Sequence, residues 1–404
     1  MLQPYRSILS LPGALRFSAT GLLARMEIAM VSLGSVLLVQ ATTGSYAIAG
    51  GVAATLGVAS AVVAPFVART VDRVGQAVVL RVAVVLHAAL LVVLVVAAEG
   101  RWALPLVFLV AALAGATQLS VGALVRARWA LLLSGTPRLQ TAFALESVLD
   151  EVVFVVGPVV VTLLATLVTP ALGPLLAAAT ALVGGLLLSL QSATQPPLAD
   201  RSVALPPEHR GPLLRMRGLT VLVLVFLGAG GIFGASEVSV AAVTKAAGAP
   251  ALAGLVLSLW AVGSMVSGIV YGAVAWRSRV DHRFVVLVGL LALTTVPMLV
   301  APVWAQPVVF LLAGVVIAPT ITTGTTLVES LVPRTRLTEG LAWTNTGLSL
   351  TYALAAAGAG AIIDGAGAQA GFLVPLASGV LAAAAAVIGL RRLRPVALLE
   401  RAAV

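Results

Sequence analysis

Ala77-Val-Val-Leu-Arg81-Val-Ala-Val-Val-Leu-His87-Ala-Ala-Leu-Leu-Val-Val-Leu-Val-Val-Ala97 holds one arginine and one histidine in an otherwise apolar run. At about 1.5 Å of rise per residue, a helix of this length spans about 30 Å, the thickness of a bilayer's hydrocarbon core. A soluble helix keeps a polar face, and this stretch has none. About twelve such stretches fill the 404-residue chain between Phe17 and Leu390. They read as 17–42, 45–68, 77–97, 102–124, 138–168, 171–192, 218–243, 250–275, 284–302, 306–331, 338–363 and 370–390. No soluble core absorbs so many, so the expected fold is an all-α polytopic membrane protein with the lipid bilayer as its solvent.

Composition agrees. Hydrophobic residues make up 60% of the chain and charged residues 9%, with a mean hydropathy of +1.13, far outside the soluble range. Cysteine is absent, which removes disulfides and thiolate metal sites; no metal or cofactor is expected. A net charge of +10 raises the question of nucleic acid, but the placement of the charge argues against it. Arginines crowd alternate gaps between the apolar runs: Arg69 and Arg73, Arg126 to Arg138, Arg201 to Arg217, Arg277 to Arg283, Arg334 and Arg336, together with Arg6, Arg16 and the tail Arg391, Arg392, Arg394 and Arg401. The opposite gaps hold Arg101 and Lys245. By the positive-inside rule the first group is cytoplasmic, and the even span count puts both termini there. Trp102 and Trp304 then lie at the outer interface, Trp129 and Trp276 at the inner one. Met1–Arg16 lacks the h-region of a cleavable signal peptide. The abundance of Arg, Ala, Val, Leu and Gly fits a GC-rich bacterial genome, hence a bacterial cytoplasmic (inner) membrane.

The longest polar stretch, Gln191–Arg217, carries Pro196, Pro197, Pro206, Pro207 and Pro212. It divides the chain into an amino-terminal six-helix bundle (1–192), a cytoplasmic linker (193–217) and a carboxy-terminal six-helix bundle (218–404). The halves echo each other: Ala47-Ile-Ala-Gly50 opens span 2 and Ala251-Leu-Ala-Gly254 opens span 8, a register that also aligns Arg73 with Arg277. Arg138-Leu139 before span 5 matches Arg336-Leu337 before span 11. Internal symmetry of this kind belongs to transporters built from repeated bundles.

Six plus six helices, a central linker and this charge layout resemble the major facilitator superfamily, over nearly the whole chain. The most specific element is Ala68-Arg-Thr-Val-Asp72-Arg73-Val-Gly75-Gln76 between spans 2 and 3. Asp72, Arg73 and Gly75 match the superfamily's loop motif; Ala68 and Gln76 depart from it. Gly157-Pro158 in span 5 looks like the core of the motif of drug–proton antiporters. The antiporters' span 4 arginine is replaced by Ala111. The pattern is most similar to actinobacterial efflux-type permeases. The resemblance implies that Asp72 and Arg73 form an inner latch against the start of span 11, marked here by Thr338 and Glu339.

The candidate chemistry lies in a few ionisable residues within apolar runs, which are expensive there and face an interior or a wet cavity. Glu146 and Asp150 sit about 13 and about 20 Å along span 5 from Pro137, on one face with Gly157, while Glu151 points elsewhere. A desolvated carboxylate is suited to carrying a proton; the alternative is an ion pair with Arg126 or Arg128. Arg25 and Glu27 lie inside span 1. Two residues apart, they point away from each other, so each needs a partner elsewhere; Arg25 with Asp150 or Glu146 is the favoured pair. Glu237 in span 7 is a candidate for an outer gate or cation site. Glu329 and Glu339 mark the inner ends of spans 10 and 11, where Glu339 complements a helix dipole. Asp72, Arg73, Gly75, Arg126, Arg128, Glu329 and Glu339 are thus the inner-gate candidates. His87 reads as a packed core imidazole. The glycines at Gly228–Gly231 lack the lysine of a phosphate loop and suit helix packing.

The expected function is a secondary transporter working by alternating access, proton-driven, exporting small amphiphilic or cationic compounds as a monomer. Uptake or efflux of a sugar or other metabolite is the alternative, weakened by an aromatic content of 5%. An intramembrane lipid-modifying enzyme is a remote third, since the acids of span 5 have no histidine beside them.

Overall fold

The computed structural model describes residues 3–198, 211–249 and 252–394. Arg201, Pro206, Pro207 and His209 of the linker, Ala251 of the repeat and Arg401 of the tail lie outside them. Among the described residues every regular element is a helix. A short α1 (Gln3–Leu9) precedes α2 (Ala14–Thr43), α3 (Tyr46–Val74) and α4 (Gln76–Glu99). Span 4 is two helices, α5 (Leu104–Thr117) and α6 (Val121–Leu133), followed by α7 (Arg138–Leu167) and α8 (Leu172–Ser189). The second half contains α9 (Arg217–Ala246), α10 (Leu252–Ala273) and α11 (Val280–Val300). Its span 10 is again two helices, α12 (Gln306–Gly314) and α13 (Ile317–Leu331), before α14 (Leu337–Ala366) and α15 (Leu373–Gly389). Twelve segments of the described residues are long and apolar enough to cross a membrane.

The surface is inverted relative to a soluble protein. On α4, Val78, Val82, Val85, Leu86 and Val96 are exposed, whereas Leu80, Val84, His87, Leu91 and Val95 are buried. Large apolar side chains outward and the one imidazole inward are what lipid on one side and a bundle on the other select. Gly75 forms the whole connection between α3 and α4 with φ 103°, donating its N–H to Val71 O at 2.8 Å. That left-handed φ favours glycine at the position matched to the family's loop motif.

The chain divides into two compact units. One contains Met1–Tyr5, Gly135–Val148 and Asp200–Val404; the other contains Arg6–Ser134 and Leu149–Ala199. In the first, α9 packs most extensively on α14, and α10 on α12. The phenol of Tyr5 donates to Ile269 O at 2.6 Å. Burial pushes its pKa up to about 12, so it stays a donor at physiological pH. In the second unit α2 packs on α8, and α3 on α5.

The repeat is visible in how these helices touch. A β-carbon at Gly115 of α5 would overlap Leu56 O of α3, and one at Gly314 of α12 would overlap Trp260 O of α10. The register that aligns Ala47 with Ala251 also aligns Leu56 with Trp260. Each unit therefore rests a glycine of its broken span on the same backbone position of the preceding paired span.

Two expectations need correction. Span 4 does not end near residue 124: α6 continues to Leu133, so Arg126 and Arg128 lie within the helix and not in a cytoplasmic gap. The reading failed because arginine signals a loop only when water solvates it, and here protein does. Trp129 is likewise no interfacial residue. It is fully buried, edge-on to Phe17 with ring centroids 4.7 Å apart. At the other gap α11 begins at Val280, which places Asp281 and Arg283 in its first turn, both buried.

Because the Leu56 carbonyl occupies the space a side chain would need, Gly115→Val should destabilise the protein by about 1–3 kcal/mol through overpacking. Gly254→Ala, with nothing within 4 Å of the new β-carbon, should be neutral. Thermal unfolding of the detergent-purified variants checks both.

Candidate functional site

Two networks of buried ionisable groups lie in the second unit, and both are anchored on α2. The first is a clamp on Asp150 of α7. Arg25 Nη1 donates to Asp150 Oδ1 at 2.7 Å, and Arg126 Nη2 donates to Oδ2 at 2.7 Å. Arg25 is 1% exposed and Arg126 7%; Asp150, with 32% of its side chain exposed, is the member that reaches open space. Arg25 Nε also donates to Gly21 O at 3.2 Å, and Arg126 Nε is buried with no hydrogen-bond partner. Gly122 of α6 makes room: a β-carbon there would sit 2.9 Å from Arg126 Nη1 and 3.6 Å from Arg25 Cδ. Two guanidiniums thus share one carboxylate. Two turns on, Gly157 brings α7 against α2, where a β-carbon would lie 2.7 Å from that of Ala29. Pro158 next to it withdraws the helical donor from the Phe154 carbonyl.

The second network is Glu27, His87 and Gln118. Glu27 and His87 are each 3% exposed. His87 Nε2 lies 3.1 Å from Glu27 Oε1, and the Gln118 amide donates to the same oxygen. His87 Nδ1 lies 2.8 Å from Ala114 O. Gln118 belongs to the interruption between α5 and α6, where its backbone takes ψ 130°. Its N–H bonds Gly115 O at 3.1 Å, not the Ala114 carbonyl it would reach in a continuous helix. The imidazole, with Thr117 Oγ1 at 2.9 Å, satisfies the carbonyl that the break releases. Arg25 and Glu27, two residues apart, thus serve separate networks.

Arg128, fully buried, bonds no carboxylate among its described partners. It donates to Gln76 Oε1 at 2.8 Å, Gln191 O at 2.8 Å, Thr194 Oγ1 at 2.9 Å and Leu188 O at 3.1 Å. It caps the carboxy-terminal end of α8, where a cation suits the dipole. Asp72 is half-buried and Arg73 exposed.

In the first unit Glu146 is fully buried on the opening turns of α7. Glu151 is half-buried in the second unit. Glu237 on α9 is exposed and accepts a hydrogen bond from Tyr352 of α14. Glu339 is buried and bonded by Arg336, with Nε to Oε2 at 2.9 Å and Nη2 to Oε1 at 2.9 Å; a bidentate ion pair holds it in addition to the helix start. Glu329 is half-buried. Among the described residues no cluster of three or more histidines and acids is placed to hold a metal ion.

Twelve spans, an internal repeat and charge buried within the bundles define a polytopic transporter fold. The Major Facilitator Superfamily model matches residues 17–317 and 235–403, and the chain belongs to that family. Its structure is similar to a bacterial homologue of the iron transporter ferroportin in an outward-facing state, at 15% identity and TM-score 0.73, covering 93% of this chain and 98% of that one. It is similar to the human organic anion transporter MFSD10 (TETRAN), at 18% identity and TM-score 0.68, covering 94% and 98%. It also resembles FucP in the outward conformation, at 13% identity and TM-score 0.73, covering 94% and 99%. No curated protein sequence matches it.

Sequence reasoning missed the partnership of His87 and Gln118 with Glu27. One usable signal was present: a histidine and an amide in apolar spans must each find partners inside the bundle.

Removing one partner from a buried ion pair strands the other charge, at a cost of about 3–5 kcal/mol. Asp150→Asn should therefore lower stability by about that amount, and Arg126→Leu combined with Asp150→Asn by less than the sum of the two single changes. A double-mutant cycle from thermal unfolding reads the difference.

Proposed function

We propose that the protein is a proton-driven secondary transporter that exports small amphiphilic molecules carrying an anionic group, by alternating access of its two bundles. The observation that carries this reading is the Asp150 clamp. A lone acid there would call for a cationic substrate. Instead its carboxylate is already shared between Arg25 and Arg126, and Arg126 Nε keeps an N–H with no hydrogen-bond partner. Glu27 is likewise occupied by His87 and Gln118. A carboxylate, sulfonate or phosphate that displaces Asp150 from one arginine takes over a charge-assisted hydrogen bond. Glu237, exposed and bonded to Tyr352, is the one observation favouring a cationic substrate, and it makes that class the second reading.

On this account Asp72, Arg73, Gly75, Glu329 and Glu339 serve the inner gate, and Arg128 is a strut that fixes α6 to the end of α8. The protein acts as a monomer in the bacterial cytoplasmic membrane, with both termini inside and bundles at 1–192 and 218–404. Gly157-Pro158 and the resemblance to efflux permeases favour export.

The test uses purified protein in liposomes with the membrane potential clamped at zero and a pH gradient imposed. The probes are taurocholate (an amphiphilic sulfonate), ethidium and fucose. An antiporter with one proton per substrate accumulates taurocholate on the acidic side by about tenfold per pH unit. Arg126→Gln should reduce that transport by about tenfold or more, the worth of one charge-assisted bond. Transport of ethidium or fucose in place of taurocholate contradicts the anionic assignment.

A further inference from the structure

We infer that Glu27 and His87 hold the coupling proton, one proton shared between Glu27 Oε1 and His87 Nε2, and that the break in span 4 passes its presence or absence to the Asp150 clamp. The inference rests on the transport reading above for its purpose, but on separate residues for its evidence.

Hydrogen-bond accounting sets the proton count. The Ala114 carbonyl can only accept, so the nitrogen 2.8 Å from it, His87 Nδ1, carries a hydrogen. Thr117 Oγ1, which donates to the same carbonyl, lies 3.4 Å from Nδ1. This leaves Nε2 facing a carboxylate oxygen at 3.1 Å. Without a proton between them, an imidazole lone pair and a carboxylate oxygen would face each other with both residues sealed from water. With one, the contact is a hydrogen bond, whether written as carboxylic acid to imidazole or as imidazolium to carboxylate. Both forms are neutral overall. Losing the proton leaves a net negative charge in the bundle core, a cost that makes the site two-state.

Among the described contacts no other charge bonds this pair. On α2, Arg25 engages Asp150. α5 and α8 carry no charged residue. On α4, Arg81 bonds Ser189 Oγ at 3.2 Å, and Glu99 ends the helix. α3 has Arg69, Asp72 and Arg73 in its last two turns. α6 has Arg126 and Arg128, bonded to Asp150 and to Gln76. α7 has Asp150 in the clamp and Glu151 beside it. On these contacts the charge that neutralises the pair comes as a proton.

The link to the clamp is covalent and short. Gln118 donates to the very oxygen that holds the proton, and it is part of the three-residue interruption, 118–120, from which α6 starts. Arg126 follows in the second turn of α6. When the proton leaves, Oε1 no longer shares it with Nε2, so the Gln118 bond takes more of the carboxylate's charge and strengthens, and the start of α6 is drawn toward α2. When it returns, the bond relaxes. A half-helix whose origin is tied to the proton and whose second turn carries an arginine of the substrate clamp couples the two sites by position alone.

Two measurements on the full-length protein test this. The first needs no substrate: nuclear magnetic resonance of the protein labelled with ¹⁵N-histidine, titrated across neutral pH, with His209 and His282 assigned by substitution. His87 should keep its Nδ1 hydrogen throughout, and the proton at Nε2 should leave in one step. That step should be absent in Glu27→Gln. A His87 that loses its Nδ1 hydrogen, or a step that persists in Glu27→Gln, overturns the shared proton. The second repeats the taurocholate assay. The ratio of uptake with and without a one-unit pH gradient should fall from about ten in the natural protein to about one in Glu27→Gln and in His87→Asn. A ratio that stays high in both variants overturns the coupling role. If the natural protein itself moves no taurocholate, the substrate reading fails, while the resonance experiment still decides the proton site. Glu27→Asp, which preserves the acid, should retain part of the gradient dependence that Glu27→Gln loses.

Discussion

Charge inside hydrocarbon must be neutralised within the protein, and most of what is distinctive in this chain follows from that constraint. Its spans hold few ionisable residues, and those of the second unit described above show three solutions. Asp150 is shared by two arginines. Glu27 is balanced by an imidazole that needs a proton to serve. Arg128 shows that a guanidinium can also be held by neutral acceptors alone, at the end of a helix whose dipole supplies the compensating field. The three arrangements differ in what can disturb them. Four acceptors around Arg128 make a fixed joint, whereas a shared carboxylate and a shared proton can each be exchanged for something arriving from outside.

The break in span 4 ties the second and first of these together. A helix interrupted at membrane depth frees backbone groups that need partners, and such sites recur where transporters bind ions. Here the freed Ala114 carbonyl is met by His87, and the freed residue Gln118 meets Glu27. The same interruption sets where α6 begins, and so where Arg126 and Arg128 fall. Span 10 of the other half is interrupted as well, between Gly314 and Ile317. It rests a glycine on the carbonyl at the same repeat position of its neighbouring helix, yet its two halves are joined by apolar residues, Val315 and Val316. The repeat has kept the architecture of the break in both halves and placed charge beside it in one.

The fold was legible because lipid imposes a simple rule on length and hydropathy, and the span boundaries came within a few residues for most helices. Gly75 was legible through its motif, and its positive φ supplies the physical reason. The failures share one cause. Arg126, Arg128 and Trp129 looked like a cytoplasmic gap because a sequence shows polarity but not who satisfies it. Trp129 is packed by Phe17, and Arg128 is bonded from α8 and the turn after it, some 60 residues away. The expectation that Arg25 and Glu27 would seek separate partners came from helix geometry alone, and the structure gives each its own network. His87 signalled only that it needs partners inside the bundle, not that one of them is a carboxylate 60 positions earlier.

The account depends on Asp150 and its arginines facing a water-filled path and not acyl chains. Phe154, one helical turn beyond Asp150 on α7 and exposed, reports on that face, and the absence of native cysteine makes Phe154→Cys a single-thiol protein without further changes. The measurement is its rate of modification in intact membranes by a negatively and by a positively charged water-soluble methanethiosulfonate. Reaction with both, faster for the negative reagent, is the predicted result; a thiol inert to both water-soluble reagents yet reactive toward a lipid-soluble maleimide would contradict it.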